Sequence, residues 1–281
     1  MQSMSRYGGW WIYEAWNTAW AVLPVLLVVL AVRPCSAREL RRFVDRHGVE
    51  VSPEIRPAMT RLIERSRMTR LICASIGFSL VPLCFALGID IPNQSFEFGV
   101  AGYLVGAFVA AVAPIERATT KRRALLVPRR PGDYLPRWMR FAPLAAVTIS
   151  VAATIVFAVE PRTALPSISS ASYGLPEAVI AAVATVIAVR VIVARPQPLG
   201  TPDLVSIDDA LRSQATHTIA GAGIAVALSG AAECLINMGG YSEKHWIHTI
   251  GVVGGLVVAA AALIAWVSCT GPWRVSRPLP P

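Results

Sequence analysis

The chain has 281 residues, 54% of them hydrophobic, with a mean hydropathy of +0.54 and a formal net charge of +9. Soluble domains use apolar residues at roughly 45–50%, so this composition excludes an ordinary water-soluble domain and implies several membrane spans. The five cysteines (Cys35, Cys73, Cys84, Cys234 and Cys269) form no CxxC pair, which argues against a disulfide framework or a zinc finger.

A span needs ~20 predominantly apolar residues, and seven runs meet or approach that length: about 10–32, 71–89, 98–114, 143–159, 176–194, 217–236 and 246–268. The first opens with Trp10, Trp11, Tyr13, Trp16 and Trp20, whose amphipathic rings favour the headgroup boundary. An aromatic cage for a cationic ligand is the sharper alternative. Arg6 precedes this run and Arg33 follows it, the reverse of a cleavable signal's charge order, so the run is expected to persist as an anchor.

Ser36 and Glu39 have the spacing of a capping box, which predicts a short helix over 36–47 ending near Gly48. Over 53–70, apolar Ile55, Met59, Leu62 and Ile63 recur at helical spacing among Arg56, Arg61, Glu64, Arg65, Arg67 and Arg70. This second amphipathic helix either lies on the inner leaflet or runs straight into the second span. Both helices suit contact with anionic lipid or with a soluble partner.

Gly102 and Gly106 in the third run, and Gly251 and Gly255 in the seventh, give GxxxG faces along which helix backbones can approach closely. They are expected to be packing seams. Between the third and fourth runs, Glu116 to Arg140 carries eight basic residues and two acids. Lys and Arg near helix ends resist translocation, so this loop is assigned to the cytoplasm.

The same parity makes 33–70, 195–216 and the tail from 269 cytoplasmic and leaves the N-terminus outside. With Arg190 assigned to the inner side by snorkelling, 23 of the 26 Lys and Arg residues fall inside, and only Arg6, Arg162 and Lys244 fall outside. The predicted fold is therefore all-α: a single polytopic membrane domain of seven transmembrane helices, with loops 33–70, 115–142 and 195–216 in the cytoplasm. Asp208 and Asp209, just after Ser206, read as acids of a first helical turn complementing the macrodipole, with cation coordination as the alternative. The span pairs two/three, four/five and six/seven each end in a Pro-bearing basic segment, which hints at three repeated hairpins. With its frequent Ala, Val, Arg, Pro and Gly, the chain resembles uncharacterised multi-pass membrane proteins of high-GC bacteria. That resemblance implies a cell-membrane location.

Candidate chemistry gathers at the outer ends of the spans. Glu233 and Asn237 are one turn apart, His245 and His248 lie at i, i+3, and a short loop joins the two pairs. Together with Glu14 they are expected to converge in an outer polar pocket, because polar groups at this depth are costly unless they face a cavity or one another. His245, His248 and Glu233 are also candidate metal ligands, although only three donors are visible and the spacing is not HExxH.

No phosphate-binding GxxxxGK[ST] loop is present, and no cofactor is expected. The only lysines are Lys121 and Lys244, both in loops, so the last span lacks the lysine that retinal would need. Nucleic acid is not an expected partner, since the inside-positive pattern accounts for every basic cluster. The expected partners are the bilayer, a soluble cytoplasmic subunit and, as an alternative, a second copy of the chain. The leading functional reading is a non-catalytic membrane subunit of a transport or export system. A membrane-embedded metal enzyme and a sensor or scaffold are the alternatives.

Overall fold

The computed structural model describes residues 22–49, 52–87, 95–112, 122–123, 129–159, 173–195, 197–198 and 202–270. The aromatic cluster 10–20, Glu14, residues 88–94, 113–121, 124–128 and 160–172, and the tail from 271 lie outside the described residues. Among the described residues there are nine helices. They are α1 (Val22–Val32), α2 (Ala37–His47), α3 (Arg56–Ala86), α4 (Ser95–Val112), α5 (Pro131–Tyr134), α6 (Arg137–Val159), α7 (Gly174–Ala194), α8 (Pro202–Gly240) and α9 (His245–Thr270). Two short strands, β1 (Arg122–Arg123) and β2 (Gln197–Pro198), pair antiparallel and tie the central basic segment to the α7–α8 connection.

Five helices, Arg56–Cys84, Arg137–Val159, Gly174–Ala194, Val205–Gly240 and His245–Cys269, are long and apolar enough to cross a membrane. Val22–Val32 and Glu97–Val112 are shorter apolar helices. The chain divides into two compact units, Met1–Cys35 with Ala58–Ala110, and Ser36–Pro57 with Ala111–Pro281.

In the first unit α3 is the long element. Its 31 residues cover about 46 Å at 1.5 Å per residue, more than the ~30 Å of hydrocarbon a span must cross. Of the two alternatives for 53–70, the structure takes the second: from Arg56 on, the amphipathic stretch is the first half of one helix with the span. The α4 glycines let its backbone lie on α3, and a Cβ added at Gly106 would come within 2.7 Å of Arg70 Cα. Arg70 stacks 5.6 Å from the Tyr103 ring centroid and donates to the Tyr103 hydroxyl at 3.3 Å. Ser75 Oγ donates to the Pro24 carbonyl at 2.9 Å, fastening α1 to α3.

The second unit is built around α8. Of its membrane-length segment 72% is buried, against 28% for α6, 39% for α7 and 22% for α9, so α8 is the axis and the other three are its jacket. Composition explains this. Between Ala220 and Ala232 the helix carries Gly221, Gly223 and Gly230 among alanines, and such small residues admit neighbours on every side. Gly251 lies against Gly239, Gly255 against Ile236, and Cys269 against Gly221, so α9 runs antiparallel to α8 along its length. Gly174 meets Gly230 and Thr185 meets Gly223, making α7 antiparallel as well. Tyr134, just before α6, reaches Asp209, while Thr154 within α6 reaches Cys234, so α6 runs parallel to α8. The outward faces remain apolar and exposed: Leu144, Ile155, Ile180, Ile187, Leu256 and Ile264 are each more than half exposed.

The helix start expected within 195–216 and the run 217–236 belong to one 39-residue helix, Pro202–Gly240. Nothing between Val205 and His217 breaks a helix, and Asp208 and Arg212 close an i, i+4 pair that favours one.

Candidate functional site

The second unit has two polar ends, and they differ in kind. At the end where α7 stops and α8 begins, two adjacent aspartates act as hubs. The Asp208 carboxylate is only 1% exposed and holds two guanidinium groups, Arg212 at 2.7 Å and Arg195. Arg212, fully buried, also donates through Nη1 to the carbonyls of Ile192 (3.2 Å), Val193 (2.9 Å) and Arg195 (2.7 Å). A helix leaves its last carbonyls without intrahelical partners, and a cation there also complements the macrodipole. Arg212 thus satisfies the end of α7 from the start of α8. Arg195 in turn donates to the Ala111 carbonyl, also in the second unit.

The second hub, Asp209, is paired with Arg129 at 2.8 Å and accepts from the Tyr134 hydroxyl at 3.4 Å. Burial, and then the Asp209 charge, push the Tyr134 phenol up to about 12. Tyr134 is therefore a donor at any physiological pH. Asp133 Oδ2 accepts from the Arg130 backbone N–H at 2.7 Å and starts α5. Three arginines and two aspartates thus join the entry to α5 and α6, the end of α7 and the start of α8. Every hub oxygen is committed, so the network acts as a clamp.

A third feature adjoins this end. In α2 the predicted capping box is formed: Ser36 Oγ accepts from Glu39 N at 3.2 Å and Glu39 Oε2 from Ser36 N at 2.9 Å. Gly48 closes the helix with φ 61°, a left-handed conformation that glycine adopts without a Cβ penalty. Phe43 is buried and its ring lies 4.6 Å from that of His47. Burial first, then Arg46 and His217 of α8, lower the His47 imidazole to about 4. The apolar side of α2 is thus covered by the chain itself, while Arg38, Arg41 and Arg42 stay exposed.

At the opposite end, Ala153, Phe157, Cys234, Met238 and Ile247 form a hydrophobic cluster. Here His248 Nδ1 donates to the Gly239 carbonyl at 3.0 Å. Gly239 is six residues beyond Glu233, about 9 Å along the helix axis. Glu233 and Asn237 are half-buried, and His245 is exposed. Among the described residues no group of three His, Cys, Asp or Glu side chains is placed to hold a metal ion, so Glu233, His245 and His248 do not form one. Glu14, the fifth candidate, lies outside the described residues.

The clamp escaped sequence reasoning, which took Asp208 and Asp209 as helix-start acids. The i, i+4 spacing of Asp208 and Arg212 was the available signal. Nothing local pairs Asp209 with Arg129, 80 residues away. No protein family, curated protein or solved structure matches the chain.

Proposed function

We propose that the chain is a seven-span membrane protein, N-terminus outside and C-terminus cytoplasmic, and that it serves as a non-catalytic membrane subunit of a transport or export system whose inner face docks a separate soluble subunit. The alternation of α6, α7, α8 and α9 supports the parity, and the apolar outward faces suit lipid. The observation that carries the docking is α2. Its apolar side is already covered by its own chain, which leaves Arg38, Arg41 and Arg42 at i, i+3, i+4 spacing as an exposed basic face on a capped helix. Such a face attracts an acidic protein surface and sets its orientation.

The test is copurification in mild detergent of the wild type and of a variant with Arg38→Glu, Arg41→Glu and Arg42→Glu. A stoichiometric soluble protein bound to the wild type and lost from the variant, at equal folded yield, is expected. Equal retention by both, or none by the wild type, refutes the docking.

A further inference from the structure

The end of α2 buries polar atoms that the chain does not satisfy. Nδ1 and Nε2 of His47 and Nε of Arg46 are shielded from water, and none has a hydrogen-bond partner among the described residues. Folded proteins seldom tolerate this, and such groups call for an ordered water, an ion or a ligand. The surrounding groups indicate which. Arg42 lies one turn before Arg46 and acts on it electrostatically. His217 of α8 lies within electrostatic reach of His47, and its Nδ1 donates to the Ser213 carbonyl at 2.9 Å. Among the described residues no three His, Cys, Asp or Glu side chains are placed to hold a cation here, and Glu39 is held in the capping box.

A divalent cation would meet two guanidinium groups. An anion gains both charges, which outweigh the roughly half-charge of the α2 C-terminus opposing it. Its acceptor must reach separate donors on Arg46 and His47. A tetrahedral oxyanion presents several oxygens at once and suits charge-assisted bonds from arginine.

We propose that Arg42, Arg46 and His47, at the end of α2, form a binding site for a phosphate group, with His217 of α8 within electrostatic reach. Its source is either a free phosphate or the headgroup of a phospholipid at the inner surface. The lipid source, unlike the site itself, rests on the topology proposed above.

The test uses the purified full chain in uncharged detergent. Thermal unfolding is followed with inorganic phosphate against chloride at equal ionic strength, and with added phosphatidylglycerol against diacylglycerol, which lacks phosphate. His47→Phe retains an aromatic ring against Phe43 and deletes both nitrogens. Arg46→Gln is the second variant should that one not fold.

A rise in midpoint with inorganic phosphate, at least tenfold weaker in apparent affinity in the variant, assigns a free phosphate. A rise with phosphatidylglycerol alone, together with phospholipid phosphorus retained by the wild type and lost from the variant, assigns a headgroup. If neither probe raises the wild-type midpoint, or if both variants respond as the wild type does, the site does not exist. Loss of the soluble subunit in the copurification experiment leaves these outcomes unaffected.

Discussion

Removing Arg212 should be the most damaging single change in the second unit. Arg212→Met keeps the aliphatic stem and deletes the guanidinium. It leaves the Asp208 carboxylate, 1% exposed, with Arg195 as its remaining cation, and strips the Val193 and Arg195 carbonyls of this donor, while the Ile192 carbonyl keeps the Arg195 backbone N–H. Breaking a buried ion pair by removing one partner costs roughly 3–5 kcal/mol. Arg195 stays in place and softens the electrostatic part, since its side chain is 22% exposed and partly hydrated. The orphaned carbonyls add their own desolvation, so about 3 kcal/mol is a reasonable lower figure. For chains of this size about 1 kcal/mol moves the midpoint by roughly 2–4 °C, which gives a fall on the order of 10 °C in detergent, followed by circular dichroism. The double variant Asp208→Leu with Arg212→Met removes the unpaired charge and should recover part of that fall. A single variant within about 3 °C of wild type would show that the clamp contributes little. A double variant no better than the single would show that the penalty comes from the carbonyls and not from the stranded carboxylate.

The seam glycines should be intolerant of bulk. A Cβ at Gly251 would fall 2.5 Å from Gly239 Cα and 2.7 Å from the Leu235 carbonyl, so Gly251→Leu, like Gly106→Leu in the first unit, should lower folded yield through ~1–3 kcal/mol or more of overpacking. Gly240→Ala, which meets nothing within 4 Å, is the control and should leave size-exclusion profiles unchanged. Stability should also fall with acid through His47. Its imidazole titrates near 6.5 unfolded and about 4 folded, so the unfolded chain binds the proton more readily, and stability complete above pH 6.5 is lost as pH drops towards 4, by at most about 3 kcal/mol. In phosphate-free buffer His47→Phe should flatten that slope, and an unchanged slope would remove His47 from the account. For topology, Glu243→Cys in a cysteine-free background should react with an impermeant maleimide in intact cells, and Asp133→Cys only after permeabilisation. The opposite pattern would invert the orientation.

Much of the helical order was legible because it depends on local chemistry. Ser36 and Glu39 announce a cap three residues apart, and glycines four residues apart in Gly251–Gly255 announce a face that another backbone can touch. The run of small residues from Ala220 to Ala232 carried the position of α8 at the centre, but that run is as apolar as its neighbours, and hydropathy does not distinguish an axis from a jacket. The clamp was less accessible. Arg195 and Asp208 are 13 residues apart and separated by Pro196 and Pro198, while Asp209 and Arg129 meet only after α6 and α7 have folded between them. Nothing local marks His47 as buried, and the imidazole that acts on it, His217, comes 170 residues later in α8. Glu233, His245 and His248 form no metal-holding group among the described residues, and His248 meets α8 at Gly239, more than a turn past Glu233.

The unbroken course of α8 has a mechanical consequence. From Asp208 to Gly239 there is no proline, so the hydrogen-bonded ladder runs without interruption for about 46 Å. A rod of that kind does not absorb a push by bending at one joint. It slides or rotates as a body. A displacement imposed at the turn where His248 holds Gly239 therefore arrives at Asp208 and Asp209 with little loss, and it must either drag the end of α7 along through Arg212 or pull the arginines off their carboxylates.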